Sequence, residues 1–72
     1  MPSLTIHTKF TFGDRVRFDS QMQHCTGEGT VFGVTIDRYG HLDYIIEIAR
    51  SGSTDLQPGI LESEMVLLES AA

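Results

Sequence analysis

The sequence predicts an all-β domain: a small barrel of about five strands with a short 3-10 turn before the last one. Three observations carry that prediction. Apolar and polar residues alternate with a period of two through much of the chain, in segments rich in β-branched and aromatic residues. No apolar stripe at helical spacing continues for as many as about ten residues. The alternating segments are separated by short stretches carrying Gly, Asp, Ser and Pro, the residues that mark turns.

Taken in chain order, residues 1–9 read as an N-terminal arm or extra strand. LTIHTKFTF places Leu4, Ile6, Thr8, Phe10 and Phe12 on one face. Residues 10–69 read as the barrel. Gly13-Asp14 opens its first strand: glycine permits backbone angles that a side chain forbids, and Asp14 can hydrogen-bond to the local backbone. DRVRFD then puts Val16 and Phe18 on one face and Arg15 and Arg17 on the other. QMQHCTGEG reads as a long, partly polar loop ending in two glycines. GTVFGVTID is a strand apolar on both faces, and DRYGHLD has the length and the glycine of a hairpin connection. LDYIIEIA sets Leu42, Tyr44, Ile46 and Ile48 opposite Asp43, Ile45 and Glu47. RSGSTDLQPG reads as a second, looser loop, ESE as the 3-10 turn, and MVLLE as the last strand. Residues 70–72 read as a disordered tail. The expected core is Val16, Phe18, Val34, Ile36, Tyr44, Ile46, Ile48, Met65 and Leu67.

The chain has 72 residues, which bounds it to one domain. A domain of this size buries only about 60% of the surface its unfolded chain exposes, so it gains from an added staple or an oligomer interface. Cys25 is the single cysteine, which rules out an internal disulfide and fits a reducing compartment. MPSLTIHTKF lacks a basic start followed by an apolar run, and nothing approaches the roughly 20 apolar residues of a membrane span. A cytoplasmic location is therefore expected, with no membrane partner. The net charge is −5, with only five basic residues, Lys9, Arg15, Arg17, Arg38 and Arg50. Nucleic-acid binding depends on a basic stripe, so this balance argues against it.

The candidate chemical groups are sparse. His7, His24, His41 and Cys25 show none of the usual zinc spacings, and His24 and Cys25, being adjacent, point in opposite directions from an extended segment. Glu62 and Glu64 on a short turn are expected to face water rather than act as an acid and base. GEGTVFG lacks the phosphate-binding G-x-x-x-x-G-K-[ST] pattern, and no helix follows it. No catalytic residue, metal or cofactor is expected from these patterns.

The strand opening GDRV, the GEGTV at residues 27–31, the alternation of Tyr44, Ile46 and Ile48, the acidic turn and the closing LL together resemble SH3-like barrels. These include the KOW-type domains, the nitrile hydratase beta chain, a small component of photosystem I and the type II dihydrofolate reductases. The resemblance spans most of residues 10–69 and implies a barrel. The KOW resemblance implies RNA or RNA polymerase partners, but the basic loops of that family are not matched here. The type II reductases share GDRVR (residues 13–17) and a similar length. That resemblance implies a homotetramer with a shared central pore for folate and NADPH, and carriage as accessory proteins on plasmids, phages and gene cassettes. The family's lysines soon after GDRVR are replaced here by Phe18 and Asp19, and its Val-Gln-Ile-Tyr segment by LQPGIL, so the reductase activity does not carry over.

Apolar residues left outside the expected core point to contacts with other molecules. Ile45, Val31, Val66 and Leu68 lie on the opposite strand faces, and Leu4, Ile6 and Phe10 on the arm. A contiguous group of this kind marks an interface unless the arm folds back over it. The expected function is a non-enzymatic protein-interaction or assembly module that forms a homo-oligomer. The candidate contact residues are Met22, His24, Tyr39 and His41 on loops, and Ile45, Val66 and Leu68 on strands. The alternatives are a small-ligand-binding or enzymatic oligomer with a shared pore, and a KOW-like nucleic-acid binder.

Overall fold

The structure, a computed structural model, describes residues 3–72; Met1 and Pro2, at the start of the expected arm, lie outside the described residues. Five antiparallel strands form one sheet: β1 (Arg15–Ser20), β2 (Cys25–Ile36), β3 (Leu42–Arg50), β4 (Ser53–Ile60) and β5 (Met65–Glu69). A 3-10 turn, Glu62–Glu64, precedes β5. The strand order is β4-β3-β2-β1-β5, so the first four strands form a meander and the last returns to the open side of β1. The all-β class, the five strands and the 3-10 turn before the last strand are as the sequence predicts.

The sheet curls around one core. Val16 and Phe18 from β1, Val31 from β2, Tyr44 and Ile46 from β3, Ile60 from β4 and Met65 from β5 are all buried in a single cluster. β1 gives the plainest local pattern, with Val16, Phe18 and Ser20 inward and Arg15, Arg17 and Asp19 outward. Gly27 lies opposite Phe18 in the neighbouring strand, and a Cβ there would sit 3.1 Å from the ring's Cζ. The missing side chain gives the ring its space.

Three element boundaries differ from the sequence reading, each for a physical reason. The N-terminal segment, read as an arm or extra strand over residues 1–9, has no strand among residues 3–12. Its alternation is present, but the chain bends at Lys9 and Phe10, and Phe10 turns into the core against Tyr44. The two rings meet edge to face, with centroids 5.7 Å apart and planes at 84°. Such a pair contributes about 0.5–1.5 kcal/mol beyond its area. The expected loop at residues 20–29 is mostly strand: the β1–β2 connection is only Gln21–His24, and β2 begins at Cys25. The expected loop at residues 50–59 is largely β4, which follows a two-residue turn at Ser51 and Gly52. Its polar composition is that of an edge strand, with most residues exposed, rather than that of a loop.

The expected core also changes. A bulge at Phe32 separates the Val31↔Ile46 pair from the Gly33↔Ile45 pair. One extra residue resets the alternation. Val31, expected outside, is therefore buried, Val34 remains packed against the core, and Phe32 is 54% exposed. Ile36 is only half-buried near the end of the sheet, and Leu67, expected inside, is 47% exposed on the edge strand.

Candidate functional site

Three networks fix the surfaces that could act. The first is built on Asp14, which is buried although charged. Its Oδ2 accepts the Thr11 N–H at 3.0 Å and its Oδ1 accepts the Ala71 N–H at 2.9 Å. Those two backbone donors, Thr11 first, hold its carboxyl below the usual range against the opposing effect of burial. The Val31 N–H donates to the Asp14 carbonyl and the Gly13 N–H to the Val31 carbonyl, so the GD pair extends the β1–β2 pairing around a corner. Gly13 adopts φ +89° there.

Glu64 anchors the second network. Its Oε1 accepts the Leu61 N–H and the Ser20 hydroxyl, each at 3.0 Å, and its Oε2 accepts the Gln21 N–H at 2.8 Å and the Met22 N–H at 3.4 Å. One carboxylate thus caps the 3-10 turn and pins the β1–β2 connection. In the third network, Glu62 Oε2 accepts the Tyr44 hydroxyl at 2.5 Å and the Lys9 N–H at 2.9 Å, which fastens the arm to the sheet. Burial, then the hydrogen bond to Glu62, raises the Tyr44 phenol above its ordinary value, and the same bond lowers the Glu62 carboxyl.

The loop candidates fall at two separate ends. Met22 and His24 lie on the β1–β2 connection, both exposed, with His24 at φ 54°. Tyr39 and His41 lie on the β2–β3 connection at the far end of the long strand β2. Twelve residues of strand span about 40 Å when extended. The histidines of the two loops are therefore not brought together. Among the described residues no group of three His, Cys, Asp or Glu side chains is placed to hold a metal ion. Within the β2–β3 loop, Asp37 Oδ1 accepts the N–H groups of Tyr39 and His41 at 2.8 and 2.9 Å, and its Oδ2 lies 3.0 Å from His41 Nδ1. The backbone N–H of His41 is the main cause of its lowered carboxyl pKa. Tyr39 is 74% exposed, with the Arg38 guanidinium 5.5 Å from its ring centroid. These contacts are what fold the loop.

The strand candidates separate as well. Ile45 is half-buried across from Gly33, near the exposed Phe32. Val66 lies opposite Arg17 on β1, and Arg17 in turn lies opposite Glu28 on β2. The Arg17–Glu28 ion pair at 3.3 Å occupies that row of the outer face. The arm leaves Val66 uncovered, because its one buried aromatic enters the core beside Tyr44.

What remains is a contrast between the two edges of the sheet. Each edge strand is paired on one side only, and no ladder joins β4 to β5 among the described residues. An edge presents unpaired backbone groups to any extended chain. On β4 that offer is blunted. Pro58 has no N–H to give, Gly59 at φ +79° accompanies a shift of register against β3, and Asp55 is ion-paired with Arg50. On β5 the sequence is Met65-Val66-Leu67-Leu68 before the first charge at Glu69. Val66 is 61% exposed and Leu68 41%, with Leu67 between them. The bulge on this strand lies at Leu68, between the Val16↔Leu67 and Arg15↔Glu69 pairs, which leaves Met65–Leu67 regular. An open groove of about 350 Å³ crosses β1 from Val66 on β5 to Thr26–Glu28 on β2, with Arg17, Phe18, Asp19 and Glu64 also lining it, so it lies on the paired side of β5 and not at its open edge.

Leu67, expected in the core, is an exposed β5 residue that sequence reasoning misplaced. The signal was available: four consecutive apolar residues cannot all face inward on a strand. Compared with protein-family models, with curated proteins and with solved structures, the chain matches none. No helix among the described residues is long and apolar enough to cross a membrane.

Proposed function

We propose that the protein is a non-enzymatic interaction module that binds another polypeptide by strand addition at the β5 edge. The observation that supports this reading most directly is the unequal guarding of the two edges. β4 carries a proline, a bulge and an ion pair, whereas β5 offers three exposed apolar side chains beside free backbone groups. In strand addition the main chain supplies directional hydrogen bonds and alternate side chains supply specificity. Val66, Leu67 and Leu68 are the side-chain contacts in this account. The test uses a short uncharged synthetic peptide of β-forming sequence, titrated into the labelled protein while backbone amide exchange is followed. Slowed exchange at β5 amides with β4 unchanged is the expected result. Equal response at both edges, or none at β5, contradicts the reading.

A further inference from the structure

We infer that the strand added at β5 belongs to a basic partner: an extended segment with an apolar, β-branched middle and a lysine or arginine at each end. The inference rests on the strand-addition reading above and names the chemistry of the chain that this edge takes.

Acids flank β5 at both ends. Glu62 and Glu64 lie in the turn that leads into the strand, and Glu69 closes it. Asp19 adds another on the outward face of the neighbouring strand β1. The hydrogen bonds to Glu62 come from the Tyr44 hydroxyl and the Lys9 N–H, and those to Glu64 from the Ser20 hydroxyl and the Leu61, Gln21 and Met22 N–H groups. Neutral donors of this kind orient a carboxylate and favour its ionised form, but they do not cancel its charge. Glu69 makes no ion pair among the described residues. The bases nearby do not offset this set. Arg15 and Arg17 both turn to Glu28, at 3.7 and 3.3 Å. Lys9 adds a cation near Glu62, a weaker influence on that carboxyl than the Tyr44 hydroxyl. Acids therefore outnumber bases along this edge.

Their placement sets the pattern of the partner. Glu64 and Glu69 are about 17 Å apart along an extended chain, and the exposed Val66, Leu67 and Leu68 lie between them. A strand with an apolar middle and a base at each end lays its charges on the acids and its middle on the apolar side chains, in either direction. β4 has no such bracket, because its Asp55 is already paired with Arg50. A second copy of this chain fits less well. Paired antiparallel about Val66, it would set each Glu69 between Glu62 and Glu64 of the other copy. The net charge of −5 also repels a second copy and nucleic acid, and it steers a cationic chain inward.

The test compares three end-capped peptides on the full chain: Lys-Val-Thr-Val-Thr-Lys, the same sequence with Gln at both ends, and the same with Glu. Each is titrated into the labelled protein while amide exchange is followed. The Lys peptide is expected to slow β5 amides with an affinity about threefold to tenfold above that of the Gln peptide, and the Glu peptide to be weakest. That advantage is expected to collapse between about 0.1 M and about 1 M salt, where the screening length falls from about 10 to about 3 Å. Glu69→Gln, at an exposed position, is expected to reduce it, whereas Asp43→Asn, which removes the same charge from β3, leaves it intact. Equal affinity of the Lys and Gln peptides, preference for the Glu peptide, or equal effects of the two substitutions overturns the inference, while the strand-addition reading stands. β5 amides that slow on concentrating the protein without peptide identify a second copy as the occupant and also overturn it. No slowing at β5 with any of the three peptides overturns both readings.

Discussion

Tyr44 joins three parts of the chain that are distant in sequence. Its ring packs against Phe10, its hydroxyl donates to Glu62 ahead of β5, and its oxygen accepts the Phe10 N–H at 3.4 Å. Tyr44→Phe keeps the ring and removes both polar links, with a predicted loss of about 1–2 kcal/mol in denaturant unfolding at neutral pH. No change would show that Phe10 packing and the Lys9–Glu62 bond hold the arm without the Tyr44 hydroxyl. The pH dependence has a definite sign on each side. The folded-state pKa of Tyr44 is raised above 10.0, so its contribution is full below pH 10 and is lost as pH rises through the folded value. Asp14, Asp37, Glu62 and Glu64 are all lowered from 3.8 or 4.5, chiefly by Thr11, His41 and Leu61 backbone donors and, for Glu62, by Tyr44. Their contributions are present above those values and are lost as pH falls through the lower folded ones. Unfolding followed across pH should therefore show an acid limb below about pH 4, and Tyr44→Phe should weaken the alkaline limb.

At the scale of elements, glycines separate close packing from turn geometry. Gly29 is buried, and a Cβ there would overlap the Glu47 carbonyl oxygen and lie 2.6 Å from Ile46 Cγ2. The clash is partly with backbone of a central strand, so Gly29→Ala is predicted to cost about 3 kcal/mol. Gly40 has open space around it and needs only its φ of +84°, so Gly40→Ala is predicted to cost about 1 kcal/mol. Equal losses in thermal or urea unfolding would contradict this distinction. The same scale shows what was legible beforehand. β1 and β3 were readable because apolar and polar residues alternate along them much as burial does, whereas β5 was readable only as an apolar run after the acidic turn, which left the facing of Leu67 open to error. β4 was hidden because an exposed edge strand with a proline has the composition of a loop. The position of Val31 was hidden because a bulge is a property of pairing, and Phe32 carries no local mark of it. His24 and His41 were legible as loop residues, but their separation by the length of β2 followed only once Cys25–Thr30 proved to be strand.

Across the whole molecule, the apolar surplus of a short chain divides between the arm, where Ile6 and Phe12 stay exposed beside Val34, and one edge of the sheet. Phe10 and Val31 go into the core, Ile45 is half-covered, and the Arg17–Glu28 pair occupies the outer face beside Val66. β5 keeps the longest uninterrupted apolar exposure in the sheet, and β4 is the guarded counterpart. The central claim, that β5 is the surface this fold offers to other chains, is tested most directly by amide exchange of the unmodified protein with and without an excess of a short uncharged peptide of β-forming sequence. The account predicts that exchange at Val66 and its neighbours slows when the peptide is present, while Ser53–Gln57 exchange stays constant. Slowing along β4 with β5 unaffected would contradict it.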